Sequence, residues 1–317
     1  MEFALYRYEF EVMEKKDSSA SLFPDQWDNL TPRQAFEKKS ELLNELLLKD
    51  YQMPSSGLSE EKSPLPFTNG RKKPLLHQYV SAPKDGFAIL ELARCSNVIR
   101  HPRPFHADAV KEDDYNSLHI IIDNRSLHQR VAIEVKPSVF TTDAAAAALA
   151  RALCEAFARY GLMVKVVPIR DDKHFWKIVS DKKHYPKGFK KLRVVFPQIN
   201  DPIVNESMKR FNLDYQRTMF GCSNYVAEYN SPQGEKLIFN EEDEKQRLLI
   251  EICNAVGDSI ELSPIGGRKF TLGGKYAKTA QMSESERQSI VGNSQQGQDL
   301  FGKDPMIAIK TFMDKAY

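Results

Sequence analysis

Between Lys165 and Arg193, ten of twenty-nine residues are lysine or arginine, and only Asp171, Asp172 and Asp181 oppose them. Phe175, Trp176, Tyr185 and Phe189 lie among the charges. Cations at this density neutralise phosphates and release counterions, and interleaved rings can stack on bases. The whole chain carries only +2; ten cations against three aspartates leave the segment at +7 and the remainder near −5. Attraction for a polyanion is therefore concentrated in one place. The expected contacts to a nucleic-acid backbone are Lys173, Lys177, Lys182, Lys183, Lys187, Lys190, Lys191 and Arg193. The opposing reading makes Phe175, Trp176 and Ile178 the core of a short helix and the lysines its solvated face.

A second basic element runs Gly266-Gly267-Arg268-Lys269-Phe270-Thr271-Leu272-Gly273-Gly274-Lys275. Paired glycines leave backbone N–H groups accessible to an anion, which adds Arg268, Lys269 and Lys275 to the expected contacts. It is not a Walker loop, because Gly273-Gly274-Lys275 is followed by Tyr276 rather than Ser or Thr. A plain hairpin turn explains the same residues without a ligand.

The enzymatic alternative is Glu134-Val135-Lys136, which with an upstream aspartate has the Asp…Glu-x-Lys pattern of metal-dependent nucleases. There, two carboxylates on neighbouring strands hold Mg²⁺ and the lysine orients the attacking water. Hairpin geometry opposes Asp123 as the partner. If residues 123 and 130 pair across the turn, Glu134 lies opposite His119, roughly 13 Å along the strand at about 3.3 Å per residue. Asp113 or Asp114 reaches Glu134 only if the chain folds back. His101 and His106 sit in a proline-rich loop rather than at helical spacing, and Cys95, Cys154, Cys222 and Cys253 form no Cys-x-x-Cys pair. No metal or cofactor site is expected, and the thiols read as reduced and mostly buried. The acidic run Glu241-Glu242-Asp243-Glu244 offers a third class, an adaptor contacting a membrane-protein sensor.

The elements that must position these residues read as α+β: mixed, mainly antiparallel sheets with packed helices in two lobes, residues 1–160 and a basic lobe 161–317. Phe3 to Met13 predicts a strand. Thr31-Pro32-Arg33-Gln34 starts a helix ending near Tyr51, and Pro54 to Pro74 predicts a mobile loop. Hairpins are expected at 76–81 with 86–93, at 118–123 with 130–136, and at 225–229 with 236–239. Helices are expected at 141–160, 205–215, 241–256 and from Asp304, and strands at 162–168 and 192–196. No run approaches the roughly 20 apolar residues of a spanning helix, and the start lacks the pattern of a secretory signal, so a cytoplasmic location is expected.

The order of elements carries a family resemblance. Phe87-Ala88-Ile89-Leu90, then Tyr115-Asn116-Ser117-Leu118-His119-Ile120-Ile121-Ile122-Asp123-Asn124, Ala132-Ile133-Glu134-Val135, Phe140-Thr141-Thr142-Asp143, the lysine-rich stretch and Val194-Val195-Phe196 follow one another. Over most of residues 3 to 275 this layout resembles the RexA-like prophage exclusion proteins and related bacterial anti-phage proteins. The resemblance implies a two-lobed, dimeric protein that binds double-stranded DNA with little sequence preference in phage defence, beside a membrane-protein partner. With the charge distribution, the expectation is a non-catalytic DNA-binding homodimer, with the Glu134/Lys136 nuclease and the adaptor as alternatives.

Overall fold

The structure, a computed structural model, describes residues 1–13, 27, 29–52, 63–100, 110–125, 128–170, 172–197, 224–255, 260–272, 277–296 and 305–317. Strand β1 (Glu2–Val12) is followed by helices α1 (Pro32–Glu37) and α2 (Lys39–Gln52). The start of α1 is set locally. Thr31 Oγ1 accepts from the Gln34 N–H at 3.3 Å, the Gln34 side chain accepts from the Thr31 N–H at 2.9 Å, and Pro32 supplies a preformed φ. The single helix expected to Tyr51 is two, because Lys38 leaves helical geometry at the cap of α1.

Strands β2 (Leu76–Tyr79), β3 (Phe87–Arg100), β4 (Val110–Asp123) and β5 (Arg130–Glu134) form a meander, with α3 (Thr142–Ala158) and β6 (Leu162–Pro168) after it. Thr141 caps α3 through the Ala144 N–H, and Gly161 at φ +72° turns the chain back into β6. Then come α4 (Asp172–Ser180), β7 (Phe189–Pro197), β8 (Asn224–Asn230), α5 (Glu244–Ala255), β9 (Ile260–Pro264) and β10 (Phe270–Thr271). Strand β11 (Thr279–Gln281), α6 (Glu284–Gln296) and α7 (Pro305–Ala316) close the chain.

The first sheet runs β11-β1-β5-β4-β3-β2, with β6 also pairing β1, and every pairing is antiparallel. Its central strands β1 and β5 are buried on both faces and read as near-continuous buried runs. Tyr6, Tyr8, Phe10, Ile120 and Ile122 face a core built with Leu43 of α2 and Leu149, Leu153 and Phe157 of α3. Phe3, Leu5, Ile89 and Ile121 pack on the other face against Ile290 of α6 and Ile309, Phe312 and Met313 of α7. The second sheet, β10-β9-β7-β8, has its own core: Phe175 and Trp176 of α4, Phe189, Leu192 and Val194 of β7, and Ile250 of α5.

The α+β class holds. Sheet membership does not follow a boundary at residue 160, since β6 pairs β1 over Leu162–Pro168 and β11 returns to the first sheet. The expected strand at 236–239 does not form. After the turn at Pro232–Glu235 the chain crosses toward β7, where the Leu237 N–H donates to Phe189 O and Leu237 and Phe239 join the second core. β8 pairs β7 instead. Of the expected loop at 54–74, residues 63–69 are packed against the fold, while Gly70 to Pro74 form an exposed turn. Leu65 and Phe67 are buried, and Asp50 accepts from Ser63 Oγ, the Leu65 N–H, His77 Nε2 and Tyr79 Oη, pinning the segment to α2 and β2. The helix expected at 205–215 and the loop 101–109 lie outside the described residues.

Candidate nucleic-acid interface

Antiparallel pairing of β7 with β9 brings the two basic segments together. Phe189 pairs Pro264, so the chain entering β7 and the chain leaving β9 emerge at the same end of the sheet. The entering loop is ordered by its own hydrogen bonds. Asp181 Oδ1 accepts from the Lys183 and His184 N–H groups, Asp181 Oδ2 contacts His184 Nδ1 at 2.6 Å, and the Gly188 N–H donates to Tyr185 O. These donors hold the Asp181 carboxyl below its ordinary range, with the His184 ring the largest cause. Gly188 needs its glycine: φ is +73° and a Cβ would meet the Lys236 side chain. Its carbonyl accepts from the Ile265 N–H, which ties the two loops to each other.

Between them lies a cleft of about 390 Å³ lined by His184, Tyr185, Pro186, Lys187, Pro264, Ile265, Gly266, Gly267, Arg268 and Phe270. Lys187 and Arg268 therefore face one space although 81 positions separate them. Lys182 and Lys183 are exposed on the same loop, Lys177 on α4 and Lys190 at the start of β7. Among the described residues, none of Lys177, Lys182, Lys183, Lys187, Lys190 and Arg268 has an ion-pair partner. Lys190 stands where the β7–β9 register slips, a bulge that returns Phe189 to the same buried side as Leu192 and leaves the lysine outside.

Three other expected contacts are engaged elsewhere. Lys191 lies 2.7 Å from Glu228, Arg193 lies 3.3 Å from Glu261, and Lys269 lies 3.5 Å from the second oxygen of Glu261. They form a mixed-sign ladder across β10, β9, β7 and β8, as expected where opposite charges face each other on an exposed sheet surface. The Lys191 ammonium holds the Glu228 carboxyl low. The side chain of Lys173 and all of Lys275 lie outside the described residues.

The aromatic half of the sequence reading is overturned for three rings. Phe175, Trp176 and Phe189 are 1%, 6% and 1% exposed, and Phe175 meets Trp176 edge to face at 5.0 Å. They are core, because the apolar side of the short helix α4 must be covered by its sheet. Only Tyr185 is left at the surface of the cleft, with its ring 5.6 Å from Phe270 and the planes 22° apart.

The nuclease residues do not assemble. Glu134 lies opposite His119 and accepts from its backbone N–H at 3.0 Å and its Nδ1 at 2.8 Å, while Nε2 lies 3.2 Å from Glu91. Lys136 Nζ donates to Ser117 O. Asp123 is held at the other end of the strands by Arg125, and Asp113 and Asp114 run on within β4 opposite Asn97 and Ser96, away from Glu134. Among the described residues no three metal-ligating side chains are grouped. In the acidic run, Asp243 caps α5 by accepting from the Lys245 and Gln246 N–H groups. Cys95 is exposed and Cys154 partly buried, donating to Val164 O, while Cys222 and the side chain of Cys253 lie outside the described residues.

The meeting of the two loops was not visible in sequence; the only signal was that a Pro-x-Gly and a Pro-x-Gly-Gly segment each border a strand. No helix among the described residues is long and apolar enough to cross a membrane. No family model, no curated protein and no solved structure matches this chain.

Proposed function

We propose that this protein binds double-stranded DNA through its phosphate backbone, without reading sequence, and acts as a DNA-binding effector of anti-phage defence. The observation that carries the DNA part is the convergence of Lys187 and Arg268 on one cleft, with Lys182 and Lys183 beside it and no carboxylate partner for any of the four among the described residues. Cations left unpaired at a surface keep their full charge for an incoming polyanion, whereas Lys191, Arg193 and Lys269 are already opposed by Glu228 and Glu261. Burial of Phe175, Trp176 and Phe189 removes most of the stacking platform that a single-strand binder requires, which favours backbone contacts. The defence role, a homodimer and a membrane-protein partner rest on the resemblance to RexA-like proteins alone.

The test is a mobility-shift titration of a duplex across salt. Binding should weaken with a log–log slope of about −0.9 per phosphate neutralised, or about −4 if all four cations engage. The combined Lys182→Glu, Lys183→Glu, Lys187→Glu and Arg268→Glu variant should abolish binding, while Lys191→Glu with Arg193→Glu should weaken it far less. No binding to any duplex, or equal loss in both variants, removes the proposal.

A further inference from the structure

The cleft is larger than a backbone phosphate requires. A phosphate on a passing duplex needs only surface cations; here a half-open cleft of about 390 Å³ lies between the two loops, within the roughly 300–1,000 Å³ of small-ligand sites. Two chemistries line it. Lys187, Arg268 and His184 supply cationic or donor groups, and Tyr185, Phe270, Pro186, Pro264 and Ile265 supply flat or apolar walls. Tyr185 and Phe270 are already an offset stack, to which a third ring can be added at the exposed side. Gly266, at φ +78°, has no heavy atom within 4 Å of the place a Cβ would occupy, so this wall is open where a side chain would otherwise intrude. A duplex backbone can lie across the mouth of such a space, within reach of Lys187 and Arg268, but only a single nucleotide can enter it, and a nucleotide pairs a flat ring with a phosphate.

We propose that the cleft receives a single 5′-phosphorylated nucleotide, the terminal residue of a strand, with its base against Tyr185 and Phe270 and its phosphate between Lys187 and Arg268. A strand end is the cheapest source, because an internal base must first be unstacked and unpaired. The inference deepens the DNA reading and rests on it: the loop lysines hold the duplex and the cleft recognises its end.

The experiment compares three ligands of one sequence: a linear duplex with a one-nucleotide 5′ overhang carrying a 5′-phosphate, the same duplex with a 5′-hydroxyl, and a covalently closed circle, with free dAMP as competitor. The phosphorylated end should bind about tenfold tighter than the other two, the size of one charge-assisted contact. dAMP should erase that increment only. Tyr185→Leu should erase it too, and Arg268→Gln, at an exposed position and with the melting temperature unchanged, should erase it while weakening the other two ligands only by its one backbone contact. Lys182→Glu with Lys183→Glu should instead weaken all three ligands together. Equal affinity for the three ligands, with salt-dependent binding intact, overturns the end-recognition proposal and leaves backbone binding standing. Binding of dAMP with no binding to any DNA supports the nucleotide cleft with a free mononucleotide as its source, and sinks the DNA reading. No binding of either overturns both.

Discussion

His119 is the residue whose setting makes the clearest demand on pH. Burial pulls its pKa down, but the contacts with Glu134 and Glu91 outweigh burial and raise it from 6.5 to about 9. An imidazole with a carboxylate near each nitrogen is held as imidazolium, since only that form carries the charge that opposes both. The folded pKa exceeds the unfolded one, so the stabilisation is complete below pH 6.5 and is lost as pH rises through 9. A shift of this size corresponds to about 3 kcal/mol at most. Denaturant midpoints measured from pH 6 to 10 should fall across that window in the native protein and stay level, from a lower start, in His119→Gln. Arg7 and Glu9 make the complementary case. They lie in β1, are 3% and 7% exposed and stand 2.7 Å apart. Removing one partner of a buried pair costs about 3–5 kcal/mol, so Glu9→Gln should lower stability by that order in urea titrations.

Among the elements, the α4–β7 connection carries the functional geometry and also the sharpest constraint. Gly188 adopts a left-handed φ with a neighbouring side chain close behind it, and its carbonyl fastens the second loop. Gly188→Ala should cost about 1–2 kcal/mol by thermal melting and weaken DNA binding with it, because the two lips of the cleft lose their tie. Trp176 separates the two roles of the basic aromatic segment. It is buried against Phe175, so Trp176→Leu should reduce stability by about 1–3 kcal/mol while leaving the salt slope of DNA binding unchanged. A changed slope at preserved stability would show that the ring meets the ligand after all.

At the scale of the molecule, two sheets divide the labour. The first is sandwiched between helices on both faces and carries the larger core, and its outlying polar groups serve that core: Asp50 gathers four donors, and Tyr317 Oη lies within 2.7 Å of the carbonyls of both Tyr6 and Val131. The second sheet has one buried face and one ladder of opposite charges, and at its end the loops present cations that have no ion-pair partner among the described residues. Removing α7 should therefore damage the first sheet and not the cleft. Truncation before Pro305 exposes Phe3, Leu5, Ile89 and Ile121 and should yield aggregation-prone protein by light scattering.

Local chemistry was enough for much of this. The capping of α1 and α3, Gly161 as a stop, the strands at β1 and β6, the β4–β5 register that sets Glu134 against His119, and the clustering of charge all follow from hydrogen-bonding capacity, backbone freedom and period, which act over a few residues. Partners distant in the chain do not. Burial of Arg7 and Glu9, the return of β11 to β1, the pairing of β8 with β7 rather than with 236–239, and the engagement of Lys191, Arg193 and Lys269 by Glu228 and Glu261 depend on which surfaces meet. Composition determined that this protein carries a strong cationic segment; only the antiparallel pairing of β7 with β9 decided which of those cations remain unpaired and share a cleft, because charge is a property of residues and neutralisation is a property of neighbours.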